Sequence, residues 1–216
     1  FASAAWFLAT APTATSASAV MGFLGGKIEY VVTSFLLTTL IVSLSIPFIL
    51  PWAVGQNTPG AWIHVAGSVA STVLAPIALA LIVRFIVPSI GKWVKQCQNI
   101  VFVFWIATIS IICSNASFFI QTEPNISTTI VLEMGILALV VCIMNFVAGY
   151  ILGEKNNRHE SSQSLGQKNT SITIFLAMEY ANPLIALGPT LYVLWHNLWN
   201  AWQLRKPPEK NEKNEE

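Results

Sequence analysis

In the segment Ser164-Leu165-Gly166-Gln167-Lys168-Asn169 (SLGQKN), a glycine, a lysine and an asparagine stand where an apolar run begins. The polar residues 156–163 precede this segment, and the mainly apolar residues 170–180 follow it. Glycine lets the backbone leave the helical conformation, and a lysine near the bilayer centre costs about 2.5–3.5 kcal/mol. The segment therefore predicts a break in a membrane-spanning segment, with the charge of Lys168 at the break.

The composition is typical of a polytopic membrane protein. The chain is 54% hydrophobic and 10% charged, with a mean hydropathy of +0.62, whereas soluble domains average about 25% charged residues. Five windows carry no charged side chain, and a helix of roughly 20 apolar residues crosses a bilayer; these windows are 1–26, 30–83, 96–122, 134–153 and 180–204. The net charge of +1 excludes a nucleic-acid footprint, and the three cysteines have no metal-ligand spacing.

Hydropathy divides the chain into seven spans, two of them interrupted. The first interrupted span covers residues 1–24 and breaks at Ala11-Pro12-Thr13; the second covers about 161–180 and breaks near Leu165-Gly166-Gln167. A polar loop is expected at 154–162, and a solvated, disordered tail at 205–216. Continuous helices are expected at about 29–53, 61–90, 99–120, 127–153 and 184–204.

Lysine and arginine residues mark one side of this layout. They fall at residue 27 and within 84–95, 155–158 and 205–213, whereas the predicted loops on the opposite side hold none. The positive-inside rule assigns the basic side to the cytoplasm. We therefore expect a multi-pass protein of the plasma (inner) membrane with a cytoplasmic C-terminus. Lys168 is the one basic residue that does not fit this rule.

The first break is rich in hydroxyl groups. Pro12 removes a helical hydrogen bond, and side chains such as Thr13 and Ser16 can satisfy the freed backbone or line a wet cavity. Paired interrupted spans indicate a transporter site at the bilayer midplane. A proline kink packed among small residues is the alternative for this break taken alone. In the last helix, His196 and Asn197 are polar residues inside an apolar segment, which indicates a functional role.

Four stretches resemble the bile acid:sodium symporter family. They are APTATSASAVMGFLGGKIEY (11–30), SIPFILPW (45–52), GQKN (166–169) and LYVLWHNLWN (191–200). The resemblance implies an all-α inverted-repeat transporter fold of ten spans, in which two broken helices cross in a core domain that packs against a panel domain. On this template the chain lacks the first three spans. Residues 1–54 and 127–204 would be core, and residues 61–120 would be panel.

The same resemblance implies roles for individual residues. The sodium-binding carboxylate of the family falls on Ser164, its glutamine falls on Lys168, and the asparagine of its Ser-Asn pair falls on Ala19. Weak ion ligands are implied at Ser18, Thr39, Ser164 and Gln167, and substrate contacts at Lys168, Asn169, His196 and Asn197, in addition to Thr13 and Ser16. This ligand set offers hydroxyls and no carboxylate, which argues against sodium coupling.

We therefore expect a secondary transporter that carries an organic anion, bile-acid-like or a small carboxylate, by alternating access. Lys168 would replace a bound cation, and it could also lose its proton during transport, so Na⁺ and H⁺ coupling both stay open. Its side chain could instead extend to the lipid headgroups. A true sodium symporter and a non-transporting homologue or sensor that uses the same pocket are the competing functions. An enzyme is not expected, because no nucleophile–base pair stands out. No other cofactor and no metal site are expected, and the expected partners are the lipid bilayer and the anion.

Overall fold

The computed structural model describes residues 1–55, 58–123 and 126–205, and every regular element in these ranges is helical. The all-α class predicted from the sequence is confirmed. A 3-10 turn at Lys155–Asn157 precedes α9. The α-helices are α1 (Ala2–Thr10), α2 (Ser16–Phe23), α3 (Ile28–Ala53), α4 (Pro59–Val69), α5 (Ala75–Ile86), α6 (Ile90–Gln96), α7 (Gln98–Thr122), α8 (Thr128–Leu152), α9 (Arg158–Gly166), α10 (Thr170–Tyr180) and α11 (Pro183–Gln203).

Three helical stretches of the described chain are long and apolar enough to cross a membrane. They are α3, the continuous stretch Pro59–Ile86 and α8. Within the second, α4 and α5 are joined by a π-helical turn at Ala70–Leu74. Pro76 is the second residue after this turn and has no N–H to donate to it, which explains the local widening. By their length and composition, these helices indicate a membrane protein.

The chain forms two compact units. One comprises residues 43–55 and 58–123, and therefore the end of α3 together with α4 to α7. The predicted helix at 61–90 extends four residues too far at its C-terminal end, because α5 ends at Ile86. Val87 precedes Pro88 and adopts φ −126° and ψ 79°, as expected because proline disfavours the helical conformation of the residue before it.

The other unit comprises residues 1–42 and 126–205 and contains both breaks. Its core joins α1, α8 and α11 through a buried cluster of Leu8, Ala138, Cys142, Phe146 and Tyr192. Helix α9 packs closely against α8 at two glycines. A Cβ on Gly149 would lie 2.6 Å from the Ser161 carbonyl oxygen, and a Cβ on Gly166 would lie 2.3 Å from the Phe146 ring.

The predicted polar loop at 154–162 is wrong from Arg158 onward, where α9 begins. Hydropathy failed here because four polar side chains of α9 are buried instead of lying in water; these are Glu160, Ser162, Gln163 and Ser164. The first three bond to other polar groups of the protein. Gly166 is the last residue of α9 and not the point of unwinding, so the second break lies at residues 167–169. The tail from residue 206 onward lies outside the described residues.

Candidate functional site: the crossing of two helix breaks

The two breaks lie against each other as short antiparallel segments. Thr13 and Lys168 form an isolated β-bridge. The Ala14 amide donates to the Gln167 carbonyl at 2.8 Å, and the Asn169 amide donates to the Pro12 carbonyl at 2.7 Å. These two bonds satisfy backbone groups that a continuous helix would have paired internally. We call residues 12–14 and 167–169 together the crossing.

The first break is stabilised by hydroxyl groups around Pro12. In an uninterrupted helix the Thr13 amide would donate to the Ala9 carbonyl; here it donates to Thr38 Oγ1 of α3 at 3.1 Å. The Thr10 hydroxyl turns back to the Trp6 carbonyl of α1 at 2.9 Å. The freed Thr13 amide is therefore satisfied by Thr38, a hydroxyl that was not predicted from the sequence.

The end of α9 is satisfied by two hydroxyl groups from elsewhere in the fold. Thr13 Oγ1 donates to the Ser164 carbonyl at 2.7 Å, and the Tyr192 hydroxyl donates to the Gly166 carbonyl at 2.7 Å. Asn145 Nδ2 of α8 donates in turn to the Tyr192 hydroxyl at 3.2 Å. Carbonyls in the last turn of a helix have no intrahelical partner, so these contacts replace the missing bonds and fix where α9 ends.

Four helix ends meet the breaks. The C-terminal ends of α1 and α9 lead into them, and the N-terminal ends of α2 and α10 lead out of them. Each helix end carries about half an elementary charge, negative at the C-terminus and positive at the N-terminus. The N-cap residues Thr15 and Asn169 make no side-chain cap bond, so neither side chain covers the positive ends of α2 and α10.

Lys168 places its ammonium at one of the negative ends. Its Nζ donates a long hydrogen bond, 3.4 Å, to the Ala9 carbonyl in the last turn of α1. This is the carbonyl that would have accepted from the Thr13 amide in a continuous helix. The side chain is only 6% exposed. Within the described part of the chain, no carboxylate forms an ion pair with it, so its charge is balanced by a helix end and not by a counter-ion.

Three of the predicted site residues carry buried polar atoms that lack a hydrogen-bond partner among the described residues. The atoms are Thr39 Oγ1, Ser164 Oγ and His196 Nδ1. Buried polar groups are normally paired, so each unpaired atom requires a specific explanation. Thr13 bonds to the Ser164 carbonyl and to Thr38, the residue before Thr39. The His196 ring packs edge-to-face on Tyr192, with ring centroids 5.5 Å apart.

Other predicted residues use their side chains differently. Ser16 Oγ donates to Gln167 Oε1 at 3.3 Å, which joins the start of α2 to the second break. Asn169 contributes its backbone amide to the crossing, and its side chain is half-buried. Ser18 and Asn197 bond to carbonyls of neighbouring residues in the chain, at Thr15 and Val193 respectively, each at 2.8 Å.

Gln167 was predicted as a site residue, but three polar residues joined to it were not: Gln163 and Asn200, which are buried, and Gln203, which is half-buried. Gln167 Nε2 donates to Gln163 Oε1 at 2.9 Å and to Asn200 Oδ1 at 3.1 Å, and Gln163 Nε2 donates to Gln203 Oε1. A periodic pattern could have found them, because residues three and four apart share a helix face. That pattern in α11 is Tyr192, His196, Asn200 and Gln203.

The described residues around the crossing include charged and polar groups but no recognisable metal site. Within residues 1–55, 58–123 and 126–205, His, Cys, Asp and Glu side chains nowhere form a group of three that could ligate a metal ion. The groups available near the crossing are one ammonium, hydroxyls, an imidazole nitrogen and helix ends. No known protein-family model matches the sequence, and no curated protein matches it.

Proposed function

We propose that this protein is a secondary transporter that carries an organic anion across the membrane by alternating access, with the crossing as its binding site. The observation that carries the proposal is Lys168: a buried ammonium without a carboxylate partner in the described chain, at the point where two broken helices pair. The expected substrate is bile-acid-like or a small carboxylate.

The position of the second break supports a midplane site. Helix α9 has 9 residues and α10 has 11, which correspond to about 13 Å and about 16 Å of helix at 1.5 Å per residue. Together they match the roughly 30 Å hydrocarbon core of a bilayer. A break at residues 167–169 therefore divides such a span near its middle, and Lys168 would lie where a charge is least tolerated.

The direction of the Lys168 side chain favours this proposal over extension to the lipid headgroups. A lysine that reaches the headgroups runs along the protein surface with its amine in water. Lys168 is instead buried, and its amine contacts the end of α1. An ammonium held in this way would attract the carboxylate of a substrate, and the uncapped N-terminal ends of α2 and α10 would add to that attraction.

The absence of an ion-pair partner for Lys168 within the described chain bears on coupling. A hard cation prefers several oxygen ligands with negative charge among them. The Lys168 ammonium contacts a backbone carbonyl, and it would itself repel a second cation. We therefore propose that Lys168 takes the place of a coupling ion, and that the protein carries its substrate without sodium. The expected location is the plasma (inner) membrane, with a cytoplasmic C-terminus.

Uptake by the full-length protein in proteoliposomes tests this function. A panel of radiolabelled bile acids and small carboxylates is offered to wild type, Lys168→Gln and Lys168→Arg, with Lys155→Gln as a control because Lys155 is exposed in the turn before α9. Hydrogen bonds to charged groups contribute about 1.5–3 kcal/mol, so Lys168→Gln should raise KM for the transported anion by about tenfold or more. Lys168→Arg should retain part of the affinity, and Lys155→Gln should behave as wild type.

The outcomes separate the functional classes. Uptake of an anion by wild type, with a KM that is about tenfold or more higher in Lys168→Gln, supports the transporter. Binding of an anion without uptake would instead support a sensor built on the same pocket. If no member of the panel binds or is transported, or if Lys168→Gln matches wild type, the proposed site is wrong.

A further inference from the structure

One face of α11 presents a row of polar side chains to the end of α9. Three of these side chains bond to α9 or to the residue after it. Tyr192 bonds to the Gly166 carbonyl, and Gln203 bonds to the Gln163 side chain. Asn200 bonds to the side chain of Gln167, which follows α9. Because α11 is a continuous helix, this row is a rigid support for the residues where α9 ends.

Gln167 is the point where this support meets the crossing. Its side chain is completely buried, and both ends of the amide are used. Oε1 accepts from the Ser16 hydroxyl, and Nε2 donates to both Gln163 and Asn200. An amide with two N–H donors is therefore fully paired on the donor side. Gln167 was predicted as an ion ligand, and these bonds leave its amide poorly suited to that role.

The backbone of Gln167 belongs to the crossing itself. The Gln167 carbonyl, one residue before Lys168 in the chain, accepts from the Ala14 amide. Residues 167–169 lie between two helices. The Gln167 amide still donates to the Gln163 carbonyl of α9 at 3.0 Å, whereas the Asn169 amide donates across the crossing. The side chain of Gln167 ties this segment to α2, α9 and α11 at once. We call Ser16, Gln163, Gln167, Asn200 and Gln203 the amide network.

We infer that Gln167 is a positioning residue: through the amide network it fixes the pairing of the two breaks and thereby places the Lys168 ammonium at the end of α1, without contacting the substrate. This inference rests on the proposed function for its effect on transport. Its structural half, the effect on the pairing of Thr13 with Lys168, does not depend on any substrate.

Disulfide formation measures the pairing directly. Thr13 and Lys168 are flanked by the two backbone bonds, which makes them a closely spaced antiparallel pair with Cα atoms about 4.5 Å apart. Disulfides join Cα atoms about 4.4–6.8 Å apart. The rate at which Thr13→Cys and Lys168→Cys cross-link in membranes therefore reports on the crossing. The native cysteines Cys97, Cys113 and Cys142 are replaced by alanine in every variant.

In this background, Gln167→Leu should slow the cross-link by about tenfold, equivalent to about 1.4 kcal/mol of coupling. Asn200→Leu should slow it less, because Gln163 still accepts from Gln167. The matched control is Gln121→Leu, which removes an exposed amide bonded to Ser117 within α7. Equal cross-linking rates for Gln167→Leu and Gln121→Leu would overturn the inference, provided that both variants elute as the wild type does in gel filtration. If Gln167→Leu fails to fold, the same comparison is made with Asn200→Leu.

A double-variant cycle tests the link to Lys168. Gln167→Leu should raise KM for the transported anion by about tenfold in wild type and by nothing more in the Lys168→Gln background, because it acts through Lys168. If the increases in KM caused by the two substitutions multiply in the double variant, Gln167 contacts the substrate directly or its loss causes a general defect. That result would refute the positioning role. A slowed cross-link in a protein that transports no anion would leave the positioning of the crossing intact and refute only the proposed function.

Discussion

Replacing Tyr192 by phenylalanine should loosen the second break without disturbing the packing of the core. The ring is fully buried between α1, α8 and α11, and the substitution removes only the hydroxyl oxygen. Two hydrogen bonds are lost: the hydroxyl donates to the Gly166 carbonyl at 2.7 Å and accepts from Asn145 at 3.2 Å. The Gly166 carbonyl at the end of α9 then lacks the hydrogen bond from Tyr192.

The size of the effect follows from the number of bonds and their surroundings. Interhelical hydrogen bonds in a membrane protein contribute about 0.6 kcal/mol on average and about 1.7 kcal/mol at most. Two bonds therefore give a destabilisation of about 1–3 kcal/mol. Unfolding of the purified protein in mixed micelles, followed by tryptophan fluorescence as denaturing detergent is increased, measures this change.

The matched control is Tyr150→Phe in α8. The Tyr150 ring is 43% exposed and lies against His159 and Arg158. Removal of its hydroxyl should change the unfolding free energy by less than about 0.5 kcal/mol, as for most surface substitutions. If Tyr192→Phe were no more destabilising than Tyr150→Phe, the hydroxyl would not hold the end of α9, and the second break would have to be stabilised by other contacts.

Three further perturbations test the helix packing, a buried carboxylate and the topology. Gly166→Ala should destabilise the protein by about 1–3 kcal/mol, because the new Cβ would overlap the Phe146 ring. The control Gly67→Ala should not destabilise it, because a Cβ on Gly67 meets no neighbour within 4 Å. Equal stabilities of the two variants would contradict the close packing of α8 and α9. Glu160→Ala should destabilise by about 1–3 kcal/mol, because the carboxylate is buried and accepts from the amide that precedes α3; wild-type behaviour in the same micelle unfolding assay would exclude this contact. Lys210→Cys, in the tail beyond the described residues, should be protected from an impermeant thiol reagent in intact cells, and ready labelling would invert the proposed topology.

The positions of the two breaks could be predicted from local chemistry. Pro12 cannot donate a helical hydrogen bond, and the polar residues around Lys168 are incompatible with an uninterrupted apolar helix. The role of Gly166 could not be predicted in the same way. The glycine is needed because the Phe146 ring of α8 occupies the space of its Cβ, and this contact joins residues that are distant in the sequence.

Hydropathy also failed where polar groups pair with each other. Residues 158–162 were predicted as part of a loop because their side chains are polar, yet they belong to α9. Ser162 is buried and bonded to α8, and Gln163, the next residue, is buried and bonded to α11. The same limit applies to the last helix. Asn197 was predicted as a site residue, but its side chain bonds to the Val193 carbonyl within α11. Asn200 is the residue that reaches Gln167, because it lies on the same face as Tyr192.

The role of Lys168 as a fixed replacement for a coupling cation rests on one measurement: uptake of the transported anion into proteoliposomes with and without an inward sodium gradient, for wild type and Lys168→Gln. A tethered ammonium at the crossing predicts that wild type takes up the anion equally well in both conditions, and that Lys168→Gln shows the same rise in KM in both. Wild-type uptake that requires sodium, or normal sodium-free uptake by Lys168→Gln, would contradict it.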